Sequence, residues 1–66
     1  MEQEILRRSL LKAHEVYFVP YSKIASNIGV SGAFISQFTK GERRMSESTA
    51  NKLSELLIKK GWVYND

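Results

Sequence analysis

The chain has 66 residues, with ten lysines and arginines against seven acidic residues and a formal net charge of +3 at pH 7. This length is near the lower limit for folding around a single core, which predicts one domain over residues 1–66. The absence of cysteine excludes disulfides and thiolate metal sites and favours a reducing, cytoplasmic location. No apolar run approaches the roughly 20 residues of a membrane span, so we expect no membrane partner.

The first predicted element is an amphipathic helix over residues 3–17. Its apolar residues recur at spacings of four, three and four, as expected for one buried helix face. They are Leu6, Leu10, Ala13 and Tyr17. Pro20 ends this segment, because the residue before a proline avoids the helical conformation. A second, short helix is expected to start between Pro20 and Ser22.

The second and third predicted helices flank Gly29. Glycine suits the left-handed position that ends a helix, and Ser31 has the short polar side chain that accepts from N–H groups at a helix start. Gly41 is expected to end the third helix in the same way. The predicted core positions of this pair are Ile24, Ala25, Ile28, Val30, Ile35 and Phe38.

A fourth predicted helix begins after Ser46 and ends at Gly61. Met45 precedes it as a gap-filling apolar contact. Its buried stripe consists of Ala50, Leu53, Leu56 and Leu57. Nothing before the tail reads as a strand, so the sequence predicts an all-α fold, a compact bundle of four to five helices.

The outward face of the third predicted helix carries small and amide side chains, where exposed helix faces usually carry Lys and Glu. These residues are Gly32, Ala33, Ser36 and Gln37. Such side chains suit close approach to the DNA major groove, where Gln37 can bond bidentately to an adenine edge and Ala33 can lie against a thymine methyl. The cations that follow, Lys40, Arg43 and Arg44, suit phosphates beside the groove.

The stretch "YSKIASNIGVSGAFISQFTKGERR" resembles the helix-turn-helix of the Cro and lambda-repressor-like family, and the likeness extends over about residues 19–57. The positions that match the family pattern are Ile24-Ala25, Gly29-Val30-Ser31, Ile35, Phe38 and Gly41. The resemblance implies a regulator of a phage or mobile element that binds double-stranded DNA. It places base contacts on Gly32, Ala33, Phe34, Ser36 and Gln37. It places backbone contacts on Tyr21, Ser22, Lys23, Lys40, Arg43 and Arg44, and we predict a further backbone contact at Ser31.

Two departures from the family pattern involve three positions. Many members carry a glutamine where this chain has Tyr21, whose hydroxyl can reach a phosphate but cannot form the amide bridge. Gly32 and Ala33 replace longer base-reading side chains, so sequence preference would depend on Gln37, Phe34 and DNA shape. Three roles remain open for Phe34: the edge of the core, contact with thymine methyls, or contact with a partner subunit.

The tail "GWVYND" also has two interpretations. Its aromatic residues fold back over the core of their own chain, or they anchor a two-fold interface. The family resemblance favours a homodimer, because one short recognition helix reads only a few base pairs. The predicted interface lies on the last helix and the tail, at Leu57, Trp62, Val63 and Tyr64.

The sequence gives no indication of an enzyme. His14 is the only histidine, no nucleophile stands beside a recognisable base, and no glycine-rich phosphate loop is present. We therefore expect no metal, cofactor or small-molecule ligand. The leading hypothesis is a Cro-like transcriptional repressor acting as a dimer on a palindromic operator, in the cytoplasm of a bacterial cell or phage-infected host. The alternatives are a recombination accessory factor and a protein-interaction module that reuses the fold.

Overall fold

The computed structural model describes residues 1–65, and Asp66 lies outside the described residues. Its four helices are α1 (Gln3–Glu15), α2 (Tyr21–Ile28), α3 (Gly32–Thr39) and α4 (Glu47–Lys60). Residues 1–65 contain no strand, and their radius of gyration of 10.3 Å is near the roughly 11 Å expected for a compact chain of this length. The predicted all-α fold is confirmed with four helices, and residues 62–65 do not form a fifth.

Local capping signals determine most of the helix ends. The Ser31 Oγ accepts from the Phe34 N–H at 3.0 Å, and the Ser46 Oγ accepts from the Thr49 N–H at 3.2 Å. Gly29 adopts a left-handed φ of +78°, in which a side chain would be strained. These serine caps and the glycine stop confirm the predicted starts of α3 and α4 and the predicted end of α2.

Helix α1 ends at Glu15, two residues earlier than predicted. Phe18 has a left-handed φ of +58°, and the Val19 N–H donates to the Ala13 carbonyl at 3.1 Å across the turn. Because Pro20 requires an extended residue before it, the chain must leave the helix upstream of Val19. The placement of Tyr17 on the buried stripe was therefore wrong, since that residue is 46% exposed.

The core lies where all four helices meet. Helix α2 packs mainly on α3, while α1 packs on α3 and α4, and α2 also contacts α4. The buried apolar residues are Leu6, Leu10, Ala13, Ile24, Ala25, Ile28, Ile35, Phe38, Met45, Ala50, Leu53 and Leu57. Val30 and Leu56, both predicted as core, are half-buried at its edge. Among the described helices, none has the length and apolarity needed to cross a bilayer.

The tail packs on its own chain. Trp62 and Val63 are half-buried against the core, and the Tyr64 N–H donates to the Ser9 Oγ at 2.9 Å. Ser9 is fully buried and donates in turn to the Ile5 carbonyl at 2.7 Å, so its hydroxyl is satisfied on both sides. These contacts correspond to the first interpretation of the tail, in which it folds back over the core of its own chain.

Candidate nucleic-acid interface

The outer face of α3 is accessible along its length. Ala33 is exposed and Ser36 and Gln37 are half-buried, whereas Ile35 and Phe38 on the opposite side are fully buried. This division follows from helix periodicity, because residues three apart share a face. The small and amide side chains predicted to meet base edges therefore lie on the accessible side.

The first turns of α2 and α3 lie side by side. A β-carbon placed on Gly32 would stand 3.7 Å from the Ser22 Cα. Ser22 and Lys23 are exposed, so the start of α2 extends the surface formed by α3. Within the described chain, no side chain caps the N-terminus of α2, which leaves its first N–H groups available to an acceptor such as a phosphate oxygen.

Tyr21 is held from α1. Its ring stacks on the His14 ring with centroids 4.1 Å apart and planes 20° from parallel. The His14 Nδ1 lies 3.0 Å from the Val19 carbonyl oxygen, which fixes the imidazole. His14 thus orients the aromatic residue that begins α2.

Arg43, in the loop between α3 and α4, turns back onto α3. Its guanidinium carbon lies 4.8 Å from the centroid of the Phe34 ring, and its Nη1 donates to the Gln37 Oε1 at 3.4 Å. Phe34 is half-buried at the edge of the core. Of the three roles left open for Phe34, the structure shows the first, a position at the edge of the core. The guanidinium of Arg43 lies over its ring.

Helix α1 fixes both ends of the loop over residues 40–44. The Gln3 side-chain amide donates to the Met45 carbonyl at 3.3 Å and accepts from the Met45 N–H at 3.0 Å. The Arg7 Nε donates to the Phe38 carbonyl at 3.1 Å, and its guanidinium lies over the Phe38 ring. Sequence reasoning missed both residues, because their partners are 42 and 31 positions away and no local pattern connects them.

Positive charge is in excess along the loop, where Lys40, Arg43 and Arg44 outnumber Glu42. Both ion pairs of the described residues join Glu4 to arginines of α1, Arg7 and Arg8. The hydrogen bond from Arg8 holds the pKa of Glu4 below its ordinary value. Lys40 and Arg44 are exposed and belong to neither pair, so this end of the surface carries a net positive charge.

The residues predicted to contact the DNA backbone differ in what else they bind. Ser31 is exposed, but its Oγ is engaged by the Phe34 N–H in capping α3. The remaining six lie beside the outer face of α3, at the start of α2 and in the loop between α3 and α4. They are Tyr21, Ser22, Lys23, Lys40, Arg43 and Arg44.

The residues predicted to form a dimer interface mostly pack within their own chain. Leu57 has no exposed surface, and its side chain therefore offers nothing to a partner. Trp62, Val63 and Tyr64 each keep part of their surface accessible. Ile58 on α4 is 66% exposed and was not predicted as an interface residue. The dimer stays a prediction.

Comparison of the chain with protein-family models, curated proteins and solved structures gave no match. The likeness to the Cro and lambda-repressor-like family therefore rests on the residues that carry it.

Proposed function

We propose that this chain is a sequence-specific regulator of transcription that binds double-stranded DNA through α2 and α3, used as a helix-turn-helix. One observation carries the proposal: the start of α2, the outer face of α3 and the cationic loop form one continuous surface. Ser22 adjoins Gly32 at the beginning of α3, and Arg43 adjoins Gln37 near its middle. The surface thus combines small and amide side chains with flanking cations, as recognition of a major groove requires.

In this proposal α3 enters the major groove. Gln37 and Ser36 meet base edges, while the small residues Gly32 and Ala33 allow the helix backbone to approach the groove floor. Lys40 and Arg44 neutralise phosphates on one side of the groove, and the free N–H groups of α2 with Lys23 hold phosphates on the other. These phosphate contacts fix the register of α3 on the duplex.

A single α3 of eight residues reads only a few base pairs. The proposed active form is therefore a homodimer that places two recognition helices about one DNA turn apart on a palindromic operator. The proposed contact uses α4, where Ile58 is accessible. Occupation of the operator excludes polymerase, which makes the protein a Cro-like repressor.

The deciding experiment is selection of bound sequences from a random duplex library with the purified protein at physiological salt, which suppresses non-specific binding. The expected result is an inverted repeat with half-sites about one helical turn apart. The Gln37→Ala variant is expected to lose the preference at one position of each half-site and to keep the others. Failure of the folded wild-type protein to enrich any sequence would reject the proposed function.

A second candidate function is a protein-interaction module, and a specific surface favours it. A groove of about 370 Å³ lies between the α1–α2 turn and the end of α4. Its walls include Phe18 and Trp62, and its charged lining residues are Lys23 and Lys60. Phe18 is 84% exposed beside it. An acidic segment with an apolar side chain fits this chemistry, and capture of such a peptide without any DNA preference would favour this candidate.

A further inference from the structure

Arg43 is held in a different way from the other cations of its loop. Its guanidinium stacks on Phe34 at 4.8 Å and donates to the amide oxygen of Gln37 at 3.4 Å. Both partners belong to α3: Gln37 lies six positions and Phe34 nine positions before Arg43 in the chain. The Arg43 side chain therefore points away from the loop and lies along α3, the helix that the proposed function places in the groove.

This arrangement is more specific than a phosphate contact needs. A phosphate is satisfied by any nearby cation, and a flexible lysine serves as well as an arginine. A guanidinium held over an aromatic face and tied by a hydrogen bond has a restricted orientation, so its remaining N–H donors point in a restricted range of directions. Such preorganisation matters where two parallel hydrogen bonds must form at once.

Guanine is the base edge that matches these donors. In the major groove it displays the N7 and O6 acceptors side by side, and an arginine fork bonds both. One Arg43 donor is engaged by Gln37, and four of the five guanidinium N–H groups remain. The Gln37 oxygen keeps a second lone pair, so the amide can still accept from an adenine amino group and donate to its N7.

We propose that Arg43 is a base-reading residue that selects a guanine next to the base read by Gln37, with Phe34 as the platform that orients the guanidinium. The inference rests on the proposed function and changes the role assigned to Arg43 from a backbone contact to a specificity-determining one. It also gives Phe34 a role in DNA recognition without a contact to DNA.

The test compares Arg43→Lys with the matched control Arg44→Lys, since both variants keep the charge and lose the planar fork. The probes are the duplex selected by the wild-type protein, the same duplex with 7-deazaguanine at one guanine at a time, and a random duplex. For the wild type, loss of the critical N7 should weaken binding about tenfold. Arg43→Lys should bind the selected duplex about tenfold more weakly, keep its affinity for the random duplex, and lose the 7-deazaguanine effect. Arg44→Lys should retain that effect.

The outcomes separate the inference from the function beneath it. If the wild type selects a motif, but Arg43→Lys retains its affinity and its sensitivity to 7-deazaguanine, the base-reading role is wrong while DNA recognition stands. If the wild type selects no motif, both fail together. A Phe34→Leu variant, which keeps an apolar side chain at the core edge, should reduce the 7-deazaguanine effect while circular dichroism shows an intact helical fold; an unchanged effect would remove Phe34 from the inference.

Discussion

At the scale of single residues, Gly32 is a position where the stability of the fold favours alanine and the proposed function favours glycine. Its backbone is not left-handed, unlike that of Gly29, Gly41 and Gly61. An added β-carbon would meet Ser22 at 3.7 Å, which is ordinary van der Waals contact. The helix therefore accommodates alanine there, and glycine lowers helix stability by roughly 0.5–1 kcal/mol relative to alanine.

The Gly32→Ala variant is expected to raise the free energy of unfolding by about 0.5–1 kcal/mol, because alanine loses less backbone entropy on folding. The added methyl should weaken binding to the selected duplex, because the proposed function places it where α3 approaches the groove. Urea unfolding and DNA titration measure the two effects. Gly29→Ala is the control, expected to destabilise by about 1–2 kcal/mol since its φ is +78°. Undiminished DNA affinity in Gly32→Ala would remove this position from the interface.

At the scale of elements, α1 acts as the frame on which the rest is positioned. It bonds to the loop before α4 through Gln3, to the end of α3 through Arg7 and to the tail through Ser9. Helix ends follow from neighbouring residues, so the caps at Ser31 and Ser46 were predictable from the sequence. The bonds from α1 were not, because they depend on residues brought together only by the complete fold.

Glu4 gives α1 a pH dependence. Its hydrogen bonds and ion pairs with Arg8 and Arg7 lower the pKa of Glu4, so the ionised carboxylate stabilises the folded state. This contribution is complete above the unfolded-state pKa and disappears as pH falls through the lower folded-state pKa. Glu4→Gln should therefore lower the Tm at neutral pH and match the wild type once the pH is well below the folded-state pKa of Glu4. Thermal melts across that range give the comparison.

The matched control for this titration is Glu55→Gln, which alters an exposed glutamate of α4 outside both ion pairs. Its Tm at neutral pH should stay close to that of the wild type. A gap between Glu4→Gln and the wild type that persists in acid would mean that the carboxylate charge is not what stabilises α1.

At the scale of the whole molecule, four helices close around one core, and the tail covers its edge. The apolar periodicity predicted most of that core, since Ile24, Ile35 and Leu53 are all buried as expected. Tyr17 was wrongly assigned to the buried face of the first helix, because apolar periodicity does not detect a turn that is imposed by a proline three residues later. The direction of the tail was undetermined by sequence, because aromatic residues suit a core and an interface equally.

Trp62→Ala is expected to lower the free energy of unfolding by about 1–2 kcal/mol, since the indole is half-buried against its own core. This is a sizeable part of the roughly 3–10 kcal/mol typical of a chain of this size. Because the contact is intramolecular, the loss should be constant over about a hundredfold range of protein concentration. Phe18→Ala, at an 84% exposed aromatic, should change stability little. A loss that grows with concentration would assign Trp62 to a dimer interface instead.

The hydrogen bond between Ser9 and Tyr64 joins residues 55 positions apart. Closing so long a segment of chain is entropically unfavourable until the intervening helices have assembled, so we expect the tail to dock late. A contact absent from the folding transition state affects how fast the native state is lost and hardly affects how fast it forms. We therefore expect this contact of the tail to slow unfolding and so to lengthen the lifetime of the folded molecule.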